Sequence, residues 1–244
     1  MKINVLMSPL NADELYFTGK TTVVIDVLRA TSVIANALNN GAREVIPVGS
    51  VDFAMKISGN AHGGQTLLCG ERNTVMIEGF SLGNSPLEFT QEVVQGKSII
   101  LFTTNGSKAI VRAKFSANLF TASYNNLKAI ADHLLKLGND VEIMCAGKNG
   151  MFSFEDTACA GKLISELMNG DKTIELADAA KASLVINNSY NDDLQIHLAN
   201  TEHGQLLIQN KFDEDIKFCA TENNIEIIPI FQDGVIKVLK QETE

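Results

Sequence analysis

Short apolar segments alternate with longer segments of mixed polarity through the first two-thirds of the chain. Several apolar segments are rich in β-branched residues and contain almost no polar side chain, which is typical of strands buried on both faces. The segments between them are long enough for helices, so the alternation predicts an α/β fold with a mostly parallel sheet covered by helices. The predicted strands are residues 2–7, 21–26, 44–48, 66–70, 98–103, 118–121 and 141–146.

The last third of the chain has a different pattern. Residues 158–224 are almost wholly helical in pattern, and two apolar runs around Asp233-Gly234 predict a short C-terminal β-hairpin. This change leaves two organisations open, a single α/β domain over residues 1–244 or two intimately packed lobes with a boundary near residues 155–170. No Pro/Gly-rich linker marks a boundary, which favours the single domain.

Composition excludes several classes of protein. The 244 residues are 45% hydrophobic, enough for a substantial core, and the net charge of −9 without a basic stripe argues against nucleic-acid binding. The apolar runs are far shorter than the roughly 20 residues of a membrane-spanning helix, and no signal peptide opens the chain, so we expect a cytoplasmic protein without a membrane partner. The four cysteines have no metal-ligand or disulfide spacing and are expected to be buried and free.

Polar and charged residues follow three of the predicted strands, at the place where open α/β sheets bind ligands. Backbone N–H groups near glycine, together with hydroxyl groups and cations, would suit a small anionic ligand, although the same residue types also favour ordinary capped turns. These residues are Asp26, Arg29, Thr31 and Ser32 after the second strand, Thr104, Asn105, Gly106 and Lys108 after the fifth, and Lys148, Glu155 and Asp156 after the seventh.

A loop over residues 70–86 contains three glycines and a dense set of polar side chains, among them Glu71, Arg72 and Asn84. A long loop of this kind inside a compact domain is usually functional, so we interpret it as a binding loop. Its end, Ser85-Pro86 followed by Glu88, is typical of a capped helix start.

Four carboxylates, Asp26, Glu71, Glu155 and Asp156, lie at strand ends or in the adjoining loops. Oxygen ligands of this type suit Mg²⁺, which would also offset their repulsion of an anionic substrate. For Glu155 and Asp156, a favourable position in the first turn of a helix is the alternative. Asp26 directly ends an apolar strand, where a carboxylate is costly to bury without a cation or hydrogen bonds.

The histidines give weaker signals. His62, His133 and His197 are expected on the surface or in packing roles, and the role of His203, beside Gly204, stays open. Four common motifs of phosphatases, nucleotide-binding proteins and hydrolases are absent. The Asp-x-Asp signature of haloacid dehalogenases fails at Leu28, and there is no P-loop, GxGxxG after a strand or GxSxG.

In order and spacing, the four polar segments resemble the ComB family of 2-phosphosulfolactate phosphatases. The matching segments are residues 24–32, 70–72 with 79–86, 103–110 and 145–161, with His203-Gly204 and Ile228-Pro229 as further matches. The resemblance implies Mg²⁺-dependent hydrolysis of 2-phospho-3-sulfolactate to 3-sulfolactate and phosphate, a step toward coenzyme M. Thr74, Ser81 and Lys108 depart from the family pattern, which leaves the exact substrate fit open.

Charge and placement then suggest roles. Asp26 would be a Mg²⁺ ligand or the nucleophile, and Glu155 and Asp156 metal ligands or the base that orients water. Arg29 would stabilise the phosphoryl charge. The predicted substrate-binding residues are Thr31, Ser32, Glu71, Arg72, Asn84, Thr104, Asn105, Gly106, Lys108 and Lys148.

Two other functions remain open at this point. One is a phosphatase for another phosphorylated hydroxy acid, and the other a non-catalytic protein that binds a sulfonate or organic phosphate. The choice between direct water attack and an aspartyl-phosphate intermediate is also open. A homodimer is the default expectation for an enzyme of this kind.

Overall fold

The structure is a computed structural model that describes residues 1–59, 65–189 and 193–240. The strands are β1 (Lys2–Leu6), β2 (Thr21–Ile25), β3 (Glu44–Val48), β4 (Thr66–Arg72), β5 (Val75–Met76), β6 (Ser98–Phe102), β7 (Asn118–Ala122), β8 (Val141–Cys145), β9 (Glu175–Leu176), β10 (Pro229–Gln232) and β11 (Val235–Val238). The helices are α1 (Ala30–Asn39), α2 (Val51–Gly59), α3 (Gln91–Val94), α4 (Gly106–Arg112), α5 (Leu127–Leu137), α6 (Phe154–Gly170), α7 (Asp178–Asn188), α8 (Leu194–Asn200), α9 (Glu202–Gln209) and α10 (Asp213–Cys219).

The α/β class is confirmed, and all seven predicted strands are present to within two residues at each end. In β2, β6 and β8 every residue is buried, as expected for strands covered on both faces. The two-residue strands β5 and β9 were not predicted, because so short a segment has no readable period.

All eleven strands described above belong to one sheet, in the order β5-β4-β6-β3-β11-β10-β7-β2-β8-β1-β9. Among the described residues, six strand pairs are parallel and four antiparallel. The predicted C-terminal hairpin forms, with both turn residues, Asp233 and Gly234, at positive φ.

The hairpin has an unexpected position in the middle of the sheet. β11 pairs with β3 and β10 pairs with β7, both antiparallel, so the hairpin joins two groups of parallel strands. The two groups share a core that contains Val24 and Met144 from one and Ile99 and Leu101 from the other. The end of the chain therefore holds the two halves of the sheet together.

Helices cover the sheet on both faces. α1 and α4 pack into the shared core, whereas α5, α6 and α7 pack with the C-terminal helices on the opposite face of β1, β2 and β8. The suggested lobe boundary near residues 155–170 lies within α6, and the single-domain organisation stays a prediction. The four cysteines are free and buried. In the part of the chain that the structure describes, no helix has the length and apolar character needed to cross a membrane.

Candidate active site

The turn after β2 is held by its own side chains. The Thr31 hydroxyl accepts a hydrogen bond from the Asp26 backbone N–H at 3.0 Å and donates to the Asp26 carbonyl at 2.7 Å. The Ser32 hydroxyl donates to the Val27 carbonyl at 2.9 Å. These hydroxyls, predicted to bind substrate, are buried and stabilise the turn that presents Asp26 and Arg29.

The Asp26 carboxyl group lies at the centre of the candidate site. Its Oδ1 accepts a hydrogen bond from the Ala30 backbone N–H at 3.2 Å. Burial raises its pKa to about 7; the Ala30 bond and the Arg29 charge oppose this rise, and Glu71 and Glu155 add to it. The protein alone therefore does not compensate the Asp26 charge fully.

Two further carboxyl groups come from the first turn of α6. Both oxygens of Asp156 accept backbone N–H bonds, from Val27 at 2.9 Å and from Gly147 at 3.0 Å, so Asp156 ties the turns after β2 and β8 together. Burial raises the pKa of Asp156 to about 7, with repulsion from Asp26 as the second cause. Burial and then the Asp156 charge raise the pKa of Glu155 to about 7 as well.

Glu71, at the end of β4, joins the binding loop to the turn after β6. Its two oxygens accept backbone N–H bonds from Thr74 and Thr104, each at 2.7 Å. The side chain is buried. Residues from the ends of β2, β4, β6 and β8 thus meet at one place, as their positions after the strands predicted.

Arg29 brings a positive charge close to Asp26, and only 2% of it is exposed. Its guanidinium forms an ion pair with Asp215 of α10 and donates to the Thr74 carbonyl at 3.0 Å. The Phe212 ring lies 4.3 Å from the guanidinium carbon. Burial of a guanidinium group requires such partners.

A small cavity lies between these groups. Its volume is about 10 Å³, room for one water-sized species. The lining residues are Asp26, Leu28, Arg29, Glu71, Thr74, Asn84, Thr103, Asn105 and His203. The buried Oδ1 of Asn84 has no hydrogen-bond partner within the described residues, so this acceptor is available to a ligand in the cavity.

His203, whose role the sequence left open, lies at this cavity. Its Nδ1 is 3.9 Å from Oε1 of Glu155. Burial lowers its pKa to about 4, and the nearby charges of Arg29 and Lys148 act in the same direction. The imidazole is therefore neutral near pH 7. His133 and His197 lie elsewhere, on α5 and α8, and His62 lies outside the described residues.

An open cleft of about 320 Å³ lies on the other side of Asn105, which lines both spaces. Lys108 and Thr104 also line the cleft. The Oδ1 of Asn105 accepts the Asn149 backbone N–H at 2.9 Å, which joins the turns after β6 and β8 across the cleft. The exposed Lys108 ammonium group brings positive charge to this space.

Some of the predicted site residues line the cavity or the cleft, and others lie elsewhere or support the turns. Asp26, Arg29, Glu71, Asn84 and Asn105 meet at the cavity, with Thr104 and Lys108 in the adjoining cleft. Thr31, Ser32 and Gly106 shape the turns, Arg72 is exposed on β4, and Lys148 pairs with Glu202 at 2.7 Å. The ligand-binding roles of all these residues remain predictions.

Sequence reasoning missed Asp215, whose carboxylate is buried against Arg29. It stands in the acidic run Asp213-Glu214-Asp215, which looks like a solvated first turn of a helix. Ile216 and Cys219 are the buried apolar residues of α10, and Asp215 is buried with them. The sequence signal that could have identified Asp215 was an acidic residue on the apolar face of a predicted helix.

The donor chemistry at the cavity is compatible with Mg²⁺. Among the residues that the structure describes, no group of three or more His, Cys, Asp and Glu side chains could hold a metal ion by itself. Mg²⁺ needs only one or two carboxylates, since water and phosphate oxygens complete its shell. Asp26 and the unpaired Oδ1 of Asn84 are hard oxygen donors on one cavity of suitable size. The predicted ligand set of Asp26, Glu155 and Asp156 stays a prediction.

Comparison with known proteins gives one consistent family. The family model for 2-phosphosulpholactate phosphatase matches residues 9–234. A probable 2-phosphosulfolactate phosphatase of Clostridium acetobutylicum is 44% identical over 73% of this chain and 76% of its own length. Proteins of the same name are 39% identical, in Clostridium perfringens over 98% of this chain and 97% of their own, and in Symbiobacterium thermophilum over 94% and 97%. The chain therefore belongs to the 2-phosphosulfolactate phosphatase family of phosphoric monoester hydrolases.

Proposed function

We propose that this chain hydrolyses 2-phospho-3-sulfolactate to 3-sulfolactate and phosphate in a Mg²⁺-dependent reaction. Family membership supports the reaction class and the substrate type. The proposal extends to a cytoplasmic role in coenzyme M formation, which rests on the resemblance alone.

One observation carries the proposal. Three carboxyl groups, those of Asp26, Glu155 and Asp156, are buried close enough to repel one another, with pKa values raised to about 7. Asp26 lines the same cavity as Arg29. Carboxyl groups at an anion site repel the substrate unless a cation lies between them. A bound Mg²⁺ would supply this charge and polarise the phosphoryl oxygens.

The chain's own groups have distinct tasks in this proposal. The Arg29 guanidinium donates to the phosphoryl oxygens as their negative charge develops. Asp26 either holds the metal ion or attacks phosphorus, and both tasks require its ionised form. Nearby positive charge favours that form by lowering the Asp26 pKa from about 7. The Asp156 carboxylate keeps the turns after β2 and β8 in place through its two backbone bonds.

The rest of the substrate requires the cleft. A cavity of about 10 Å³ does not hold a molecule with phosphate, carboxylate and sulfonate groups. Such a molecule carries a charge of roughly −3.5 to −4, more than one arginine balances. The cleft beyond Asn105, about 320 Å³ in volume, offers space and the Lys108 charge to the end that does not react.

The test is phosphate release from 2-phosphosulfolactate and from a panel of phosphorylated hydroxy acids, each with Mg²⁺ and with EDTA. We expect metal-dependent release that falls at least about 10³-fold in Asp26→Asn, because either task of Asp26 needs a charged carboxylate. Asp132→Asn is the matched control, since Asp132 is an exposed carboxylate on α5, paired only with Lys128 among the described residues.

Other outcomes identify the alternatives. Faster release from another panel member would replace the substrate but keep the hydrolase. No release from any member, together with ligand binding that EDTA does not change, would overturn the phosphatase and leave a binding protein for a sulfonate or organic phosphate.

A further inference from the structure

The Arg29 guanidinium is held on one side by a residue far away in the sequence. Its Nη1 donates to Oδ2 of Asp215, and the two side chains are 1% and 3% exposed. Asp215 lies in α10, a C-terminal helix that contributes none of the residues lining the cavity in the described part of the chain. This buried ion pair holds one end of the guanidinium group in place.

Asp215 is itself held in place. Its second oxygen, Oδ1, accepts a hydrogen bond from the Ser85 hydroxyl at 2.6 Å. Ser85 lies at the end of the binding loop, where the Glu88 carboxylate accepts its backbone N–H at 3.2 Å. Both oxygens of the buried Asp215 carboxylate therefore have partners, as its burial requires.

Two more contacts complete the support of Arg29. The Thr74 carbonyl, also in the binding loop, accepts from Nη2 at 3.0 Å, and the Phe212 ring packs against the guanidinium face. Hydrogen bonds within the described residues use two of the five N–H groups of the guanidinium. The same group lines the cavity beside Asp26, so its unused donors are available to a ligand there.

We propose that Asp215 is the positioning residue that turns Arg29 toward the phosphoryl group and away from the carboxylates of Asp26 and Glu71. Without Asp215, the carboxylates of Asp26 and Glu71 at the same cavity are the competing anions for the guanidinium. Arg29 would then pair with them, and its donors would be lost to the substrate. Ser85 supports the same geometry indirectly, through its hydrogen bond to Asp215. This inference rests on the proposed function.

The first experiment compares Asp215→Asn with Asp213→Asn. Asp213 lies in the same first turn of α10 but is exposed, so the control removes the same charge from the same helix. We expect kcat/KM for phosphate release to fall about 10²-fold in Asp215→Asn through misplacement of Arg29, and to stay within about twofold in Asp213→Asn.

A double-mutant cycle separates positioning from general damage to the fold. In an Arg29→Ala background, Asp215→Asn should reduce kcat/KM further by less than about threefold, because residues that act as a unit are not additive. Ser85→Ala, which leaves the ion pair itself in place, should cost about three- to tenfold in the native background. Circular dichroism and thermal unfolding establish that each variant folds.

Calorimetric titration with inorganic phosphate gives a readout independent of turnover. Asp215→Asn should weaken phosphate binding at least about tenfold relative to wild type, whereas Asp213→Asn should not. If wild type binds inorganic phosphate but hydrolyses no phosphorylated compound of the panel, the proposed function fails. The phosphate titration then still decides the role of Asp215. Unchanged phosphate affinity in Asp215→Asn, or a full 10²-fold effect in the Arg29→Ala background, would overturn the positioning role. If Asp215→Asn does not fold, the Ser85→Ala cycle with Arg29→Ala decides in the same way.

Discussion

Gly106 approaches the Asp26 carboxylate so closely that a β-carbon at residue 106 would lie 2.4 Å from Oδ2 of Asp26. The same carbon would lie 2.5 Å from the Ala30 β-carbon. Gly106 begins α4 after β6, whereas Asp26 lies in the turn after β2 and Ala30 begins α1, which follows that turn. The absence of a side chain at residue 106 therefore sets the distance between two turns of the candidate active site.

We predict that Gly106→Ala displaces Asp26. The added methyl group cannot be accommodated without moving the carboxylate or the turn, and displacements of about 1 Å can reduce the rate about 10²-fold. Overpacking should also lower the free energy of unfolding by about 1 to 3 kcal/mol. Steady-state phosphate release and urea unfolding measure the two effects.

Gly49→Ala is the control for that substitution. A β-carbon at residue 49 meets no atom within 4 Å, and residue 49 is exposed. The control should change both quantities little. Equal activity losses in the two variants would contradict the role of the close approach at Asp26.

The raised carboxyl pKa values predict how stability depends on pH. For Asp26, Glu155 and Asp156, the pKa is about 7 in the folded chain, above the ordinary values of 3.8 and 4.5. Between about pH 4 and pH 7 the folded state holds more protons than the unfolded state at these groups. Their contribution to stability is thus full below pH 4 and is lost as the pH rises through 7.

We therefore expect the metal-free chain to have a higher melting temperature near pH 6 than near pH 8, as far as these groups decide it. Asp26→Asn should flatten this slope, because one raised pKa disappears and a tenfold change in proton affinity corresponds to about 1.4 kcal/mol. Asp132→Asn should leave the slope unchanged. Thermal melts in EDTA from pH 5.5 to pH 8.5 measure it, and a slope that is the same in all three proteins would refute the prediction.

The strands could be predicted from the sequence because their signal is local. Each of the seven is a short run rich in apolar or β-branched residues. The turn residues Asp233 and Gly234 identify the hairpin by their own conformational preference. The insertion of that hairpin between β3 and β7 could not be predicted. It depends on pairings such as Ile236 with Val45, between residues nearly 200 positions apart, and no local pattern encodes them.

The candidate site could be predicted in part for the same reason. Asp26, Arg29 and Asn105 directly follow strands, so the general geometry of α/β sheets placed them together. The sequence did not show which of the polar residues face the cavity and which support the surrounding turns. Thr31 has the residue type of an anion ligand but bonds to its own turn, and Asp215 has the residue type of a solvated helix start but supports Arg29. Only the tertiary contacts distinguish these roles.

The cleft beyond Asn105 predicts a separation of binding from chemistry at Lys108. Removal of the Lys108 ammonium group should weaken attraction of the end of the substrate that does not react. The proposed contact of Arg29 with the phosphoryl group should be unaffected, because Arg29 lines the other cavity. We expect Lys108→Ala to raise KM for 2-phosphosulfolactate about five- to tenfold, with kcat within about twofold.

Phospholactate, which lacks the sulfonate, decides whether that loss of affinity reflects a specific contact. Its KM should be nearly the same in Lys108→Ala and wild type, and the difference for 2-phosphosulfolactate should shrink as salt screens the exposed charge. Lys136→Ala removes the same charge from an exposed site on α5, outside the cleft, and should leave both KM values unchanged. A KM increase of equal size for the two substrates would mean that Lys108 acts through the general potential of the surface. A fall in kcat alone would instead place Lys108 at the reacting phosphoryl group, because only an interaction made in the transition state lowers kcat without changing KM.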